Sequence, residues 1–269
     1  MFKVRLLSGI VLVLLMIGVL YAGGTVTLIT ILLLSLGGSL ELLRIYNLHN
    51  KLMGYISYIA TISYFVLLAT GNKEYVVLLL ILFVLAVLSI YVVTYPEYTD
   101  RDAMATILSF FYVSIMLSYV YQIRELESGG ALVVMIFICS WVNDTCAYCV
   151  GVTMGKHKMS PKLSPKKSVE GLIGGILGSA IVASVYGVFF NANVCEIENS
   201  PVIFAVIGAC GAGMAVIGDL AASAIKRNND IKDYGKLIPG HGGILDRFDS
   251  IIFTAPIVYY GFVYLIDSV

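Results

Sequence analysis

Apolar residues run through this chain in long blocks, interrupted by short polar or glycine-rich breaks. A helix needs about 20 apolar residues to cross the hydrocarbon of a bilayer. Blocks near that length fall at roughly 5–22, 25–42, 52–70, 75–95, 103–122, 131–151, 171–191, 201–222 and 250–267, which predicts nine transmembrane helices. Gly23 and Gly24 are the only break between the first two blocks, so a re-entrant pair is the alternative there. The sixth block carries Asn143 and Asp144 inside an otherwise apolar span.

Composition sharpens that picture. Of the 269 residues 59% are hydrophobic and 13% charged, whereas soluble domains carry about 25% charged residues. The expected fold class is an all-α, polytopic integral membrane protein. Formal net charge is zero, so only its distribution informs. With the N-terminus in the cytoplasm, every Lys and Arg except Lys73 and Arg124 falls on the inside, as the positive-inside rule requires. Nine helices then leave the C-terminus outside. Lys3 and Arg5 ahead of an apolar run also fit a signal peptide, but the run exceeds a usual signal core. Cys139, Cys146, Cys149, Cys195 and Cys210 lie in or beside apolar segments, and their odd number argues against a disulfide framework. Cys146 and Cys149 form a CxxC without the second ligand pair that zinc needs.

Polar chemistry is concentrated late in the chain. Residues 1–130 are expected to form a scaffold, lipid-contact or dimer surface, and residues 131–269 the working, catalytic region, within one integrated membrane unit. Asp144 sits within a span, where an unpaired carboxylate costs several kcal/mol. It therefore needs a hydrogen-bonding neighbour or a cation, and Asn143 points about 100° away from it. Asp219, Ser223, Lys226 and Arg227 are spaced i, i+4, i+7 and i+8 and share one helical face. That face suits phosphate and metal, or else a hydrogen bond with two ordinary basic flanks. Asp246 and Asp249 are spaced i, i+3 at the head of the last helix. Their hard oxygens favour Mg²⁺ over zinc, although acidic residues also complement a helix dipole there. Just ahead, Gly240, Gly242 and Gly243 allow backbone N–H groups to approach an anion, and His241 either meets phosphate or braces the turn. The glycines of 171–178 are read as helix packing.

The stretch SAIKRNNDIKDYGKLIPGHGGILDRFD, Ser223 to Asp249, resembles the signature of the phosphatidate cytidylyltransferases, also called CDP-diacylglycerol synthases. Ser223, Lys226-Arg227, Lys232-Asp233, His241-Gly242-Gly243, Asp246-Arg247 and Asp249 fill each place of that pattern. Asn143 to Tyr148 looks like the family's Asp-Ser/Thr-x-Ala-Tyr helix, and Ser164 to Lys167 with Glu170-Gly171 like its basic loop. Ser168 and Val169 depart from the usual Thr-Trp. The resemblance covers 140–250 well and the first 130 residues by hydropathy alone.

It implies transfer of a cytidylyl group from CTP to phosphatidic acid at the cytoplasmic face of the cell (inner) membrane, in a homodimer embedded in the lipid bilayer. No nucleic-acid partner is expected. Mg²⁺ is the implied cofactor, with room for a second cation. Asp219 and Asp246 would hold Mg²⁺, with Asp144 and Asp249 supporting it. Lys167, Lys226, Arg227 and Arg247 would neutralise phosphates, while Ser223, Asn143, His241, Gly242 and Gly243 would orient substrate. Asp144 and Lys167 are expected to close the site from outside the signature. The alternatives are a CTP-dependent polyprenol-type lipid kinase and an ion-coupled transporter.

Overall fold

A computed structural model of the chain describes residues 2–194, 196–238, 240 and 242–266, with side chains from residue 9 onward. Cys195 and His241 lie outside the described residues, as do the side chains of Lys3 and Arg5. In chain order the helices are α1 (Phe2–Ala22), α2 (Gly24–Ile45), α3 (Leu52–Thr70), α4 (Val76–Val93) and α5 (Asp100–Arg124). Then follow α6 (Gly129–Met154), the strands β1 (Lys158–Ser160) and β2 (Ser164–Ser168), α7 (Val169–Asn193), α8 (Ser200–Asn228) and α9 (Leu245–Leu265). Among the described residues eight helices, α2 to α9, are long and apolar enough to cross a membrane. The first expected block lies on α1, whose described apolar stretch, Gly9–Ala22, is shorter.

Helix ends follow from local chemistry. Gly71, at φ 73°, stops α3 in the left-handed region, where a Cβ would be strained. A capping box opens α5: Thr99 Oγ1 accepts from the Asp102 N–H at 3.3 Å, and Asp102 Oδ2 from the Thr99 N–H at 2.8 Å. Ser168 Oγ caps α7 by accepting from the Gly171 N–H at 3.1 Å. α8 extends beyond the expected apolar block to Asn228, because a helix can continue after its sequence turns polar.

The chain divides into two compact units, residues 1–121 with 233–247 and residues 122–232 with 248–269. In the first unit hydroxyls join α2, α3 and α5. Ser114 Oγ lies 3.3 Å from Ser39 Oγ and 2.7 Å from Thr61 Oγ1, and the Tyr64 hydroxyl lies 3.0 Å from Ser118 Oγ. Hydroxyl pairs of this kind hold membrane helices together with about 0.6–2 kcal/mol each. A π-helical stretch, Ser109–Ile115, contributes Ser114 to them. Phe110 packs there against Phe83, with ring centroids 4.6 Å apart.

In the second unit α7 packs along α6 and α8. The small residues of α7 make that approach close: Gly174 abuts Val150, Gly175 abuts Asn143 and Gly178 abuts Cys146, as the glycine spacing leads one to expect. Phe204 lies between Phe190 and Phe262, with centroids 5.3 and 5.2 Å away. The hairpin β1–β2 departs from the all-helical expectation but is confined to two short antiparallel strands.

Candidate active site

In the second unit the basic loop is an ordered hairpin tied to the start of α7. Glu170 accepts from the N–H groups of Lys156 and His157 at 3.1 and 3.2 Å, and its Oε1 lies 2.6 Å from His157 Nδ1. Lys158 pairs with Ser168 and Ser160 with Ser164 across the strands. Lys167 therefore sits on a strand end held at both sides, one residue before the cap of α7. Its Nζ forms an ion pair with Asp219 Oδ2 of α8, the two side chains being 26% and 35% exposed. Asp144 of α6 lies within electrostatic reach of both. The ion pair thus joins β2 to α8, and the charge of Asp144 on α6 is felt by both partners.

Asn143 and Asp144 diverge, as the 100° helical step requires. Asn143 is fully buried against α7, while Asp144 is exposed. The burial directs Asn143 towards helix packing; its Nδ2 lies 3.5 Å from Asp144 Oδ1, and its Oδ1 has no hydrogen-bond partner among the described residues. α8 continues through Ser223, Lys226 and Arg227, so these stay on one helix with Asp219. Beyond its last turn, Arg227, Asp230, Ile231 and Lys232 line an open cavity of about 340 Å³. Asp249 of α9 belongs to this unit as well. A Cβ on Gly218 would lie 2.5 Å from the Asp249 carbonyl oxygen, so α8 and α9 touch one residue from Asp219 only because position 218 has no side chain.

The first unit contains the glycine turn and the head of α9. Asp246 is 8% exposed, and its Oδ2 accepts from the N–H groups of Tyr234 and Gly243 at 2.8 and 2.9 Å. The same carboxylate therefore ties Tyr234 to Gly243 and closes the turn ahead of α9. Gly242 has φ 88°, and a Cβ there would lie 2.7 Å from Asp246 Oδ2, which excludes a side chain for two reasons. Ile238 donates to the Gly242 carbonyl at 2.9 Å across this turn. Arg247 is exposed. One residue here is absent from the sequence-based candidates: Glu41 of α2, 4% exposed, accepts from the N–H groups of Ile244 and Leu245 at 3.0 Å each. A lone carboxylate near the end of the second apolar block was the available signal.

The model of the cytidylyltransferase family matches residues 3–265. The chain belongs to the cytidylyltransferase family. It is 36% identical over 261 residues to a phosphatidate cytidylyltransferase of Staphylococcus aureus (strain COL), covering 95% of this chain and 97% of that protein. The enzyme of the same name from Staphylococcus haemolyticus (strain JCSC1435) is 36% identical over 263 residues, with the same coverage. That of Staphylococcus epidermidis (strain ATCC 12228 / FDA PCI 1200) is 34% identical over 261 residues, again covering 95% and 97%.

A nucleotide-handling member of the cytidylyltransferase family needs charge neutralisation for a triphosphate. Among the described residues no group of three or more His, Cys, Asp or Glu side chains is placed to hold a metal ion. That arrangement still fits Mg²⁺, which is usually held by one or two carboxylates together with substrate phosphates and water. Asp219, ion-paired with Lys167, and Asp144, which interacts electrostatically with both, are such hard donors.

Proposed function

We propose that this chain transfers a cytidylyl group from CTP to phosphatidic acid, forming CDP-diacylglycerol and pyrophosphate. The observation that carries the reading is 36% identity to a phosphatidate cytidylyltransferase across 95% of the chain, with the Ser223–Asp249 signature filled at each place. In this reaction an oxygen of the lipid phosphate attacks the α-phosphorus of CTP. A new P–O bond forms there, the bond to the β-phosphate oxygen breaks, and pyrophosphate leaves with the electron pair. The attacking phosphate is largely ionised near neutral pH, so no protein nucleophile is needed and catalysis is mainly positioning and charge neutralisation.

Asp219 and Asp246 are proposed as Mg²⁺ ligands, with Asp144 and Asp249 supporting that ion or a second cation. Bound there, the ion would neutralise phosphate oxygens. Lys167, Lys226, Arg227 and Arg247 bind phosphate groups, and Ser223 with Gly242 and Gly243 orients their oxygens. His241 and Asn143 remain substrate-binding candidates, the latter through its proximity to Asp144. The reading includes nine spans with α1 as the first, a cytoplasmic N-terminus, an external C-terminus and a reaction at the cytoplasmic face of the cell membrane. It also includes a homodimer formed through residues 1–130.

The test is incubation of purified protein with labelled CTP, phosphatidic acid and Mg²⁺, with both products identified. CDP-diacylglycerol and pyrophosphate are expected. Release of CDP with a phosphorylated lipid alcohol would indicate a kinase instead. Wild-type turnover in both Asp219→Ala and Asp246→Ala would sink the metal assignment.

A further inference from the structure

Glu41 lies outside every motif of the signature, yet its carboxylate is committed to the head of α9. Oε1 accepts from the Ile244 N–H and Oε2 from the Leu245 N–H, both at 3.0 Å. Both oxygens act as acceptors, which is the arrangement of an ionised carboxylate. An acidic residue inside a span is costly, by about 2.5–3.5 kcal/mol on insertion scales, so its retention requires compensating contacts. Most helices are capped by the residue immediately ahead of them. Here that residue, Ile244, has no side-chain acceptor, and the role falls to a carboxylate 203 positions away. The loop is shaped around it. A Cβ on Gly243 would lie 2.6 Å from Glu41 Cδ, and one on Gly235 would lie 2.9 Å from the same atom. Asp246 Oδ2 closes the arch on its other side through Tyr234 and Gly243. The two carboxylates thus hold successive N–H groups of one turn, and Asp246 and Arg247 follow directly.

We propose that Glu41 is a positioning residue for cytidylyl transfer, fixing Gly235, residues 243–245 and the first turn of α9 so that Asp246 and Arg247 are presented to the substrates. The proposal rests on the function proposed above. Its test is full-length Glu41→Gln and Glu41→Ala in detergent, assayed for kcat and KM with CTP and phosphatidic acid. Hydrogen exchange of the Ile244 and Leu245 amides is followed in parallel. Gln keeps one acceptor and sets an amide N–H against the other backbone donor; Ala keeps none. Misplacement of catalytic groups by about 1 Å can cost about 100-fold in rate. The expected result is kcat per folded molecule lowered about 10-fold for Gln and about 100-fold for Ala, with KM for CTP within about threefold and amide protection lost.

Wild-type kcat per folded molecule in both variants would overturn the proposal, whatever the yield of folded protein. Should Ala fail to fold, Gln and Gly235→Ala decide, because the latter crowds the carboxylate without removing it. A wild-type protein that makes no CDP-diacylglycerol refutes the function itself, and with it the role of Glu41 in that reaction. An active wild type with unaffected variants refutes the role of Glu41 alone.

Discussion

Replacing Gly218 by alanine tests whether the turn of α8 that carries Asp219 must touch α9. The new Cβ would lie 2.5 Å from the Asp249 carbonyl oxygen and 3.0 and 3.1 Å from Phe253 Cδ2 and Cβ. Ordinary contact begins at 3.4 Å, so the Asp249 backbone must recede by about 1 Å, and a carbonyl inside a helix cannot swing aside as a flexible side chain can. Overpacking of this kind costs about 1–3 kcal/mol. Alanine also gains about 1 kcal/mol of helix propensity over glycine, so the comparison requires a second variant that shares the gain without the clash. Gly213→Ala supplies it: the same helix, with Ile176 Cδ1 at 4.0 Å as the nearest atom. The two variants are expected to differ by about 1–3 kcal/mol, or about 2–12 °C in Tm at 2–4 °C per kcal/mol. Turnover should fall by about 10–100-fold for Gly218→Ala and stay near wild type for Gly213→Ala. Thermal unfolding in one detergent and the CTP assay measure both. Indistinguishable variants would refute the claim that this contact holds Asp219 in place.

Lys167→Met removes the ammonium paired with Asp219 and electrostatically coupled to Asp144. Steady-state kinetics should show KM for CTP raised about tenfold or more, with partial recovery in Lys167→Arg, whose fork also pairs with carboxylate and phosphate. Gly242→Ala forces a Cβ residue to φ 88° and against Asp246 Oδ2; left-handed strain of about 1–2 kcal/mol should lower Tm by about 2–8 °C and reduce turnover. Glu170→Gln weakens the tie to His157 and Lys156. Limited proteolysis should then cut residues 156–168 faster, while Tm changes little, as is usual for exposed ion pairs. Chelation with EDTA should abolish turnover, and Mg²⁺ should restore it; turnover that persists in EDTA counts against the metal role.

The helices were legible because their sequence requirement is local. A span must be apolar over its own length, and the third block, 52–70, coincides with Leu52–Thr70. The ends were less legible where helix and hydrocarbon part company. α8 continues six residues past the apolar block that ends near 222, to Asn228, carrying the basic residues on the face that spacing had assigned to them. The hairpin of 158–168 was hidden for the opposite reason. Its strands are short and basic, and it depends on Glu170 gathering the N–H groups of Lys156 and His157, a bond between residues with no shared periodicity.

Glu41 shows where such reading stops. Hydropathy registers it as a blemish in an apolar block, and its value depends on partners 203 and 204 residues distant. The signature residues Asp246 and Arg247 were recognisable from their own neighbours, whereas the group that holds their turn in place was not. A motif records which side chains meet substrate, but the backbone that presents them can be fixed by a residue anywhere in the chain that carries the right acceptor. In a membrane span that acceptor stands out, because a buried carboxylate is too costly to persist without donors to receive. An isolated acidic residue in an apolar block is therefore a reason to look for unsatisfied N–H groups at a distant helix start, and here α9 provides them.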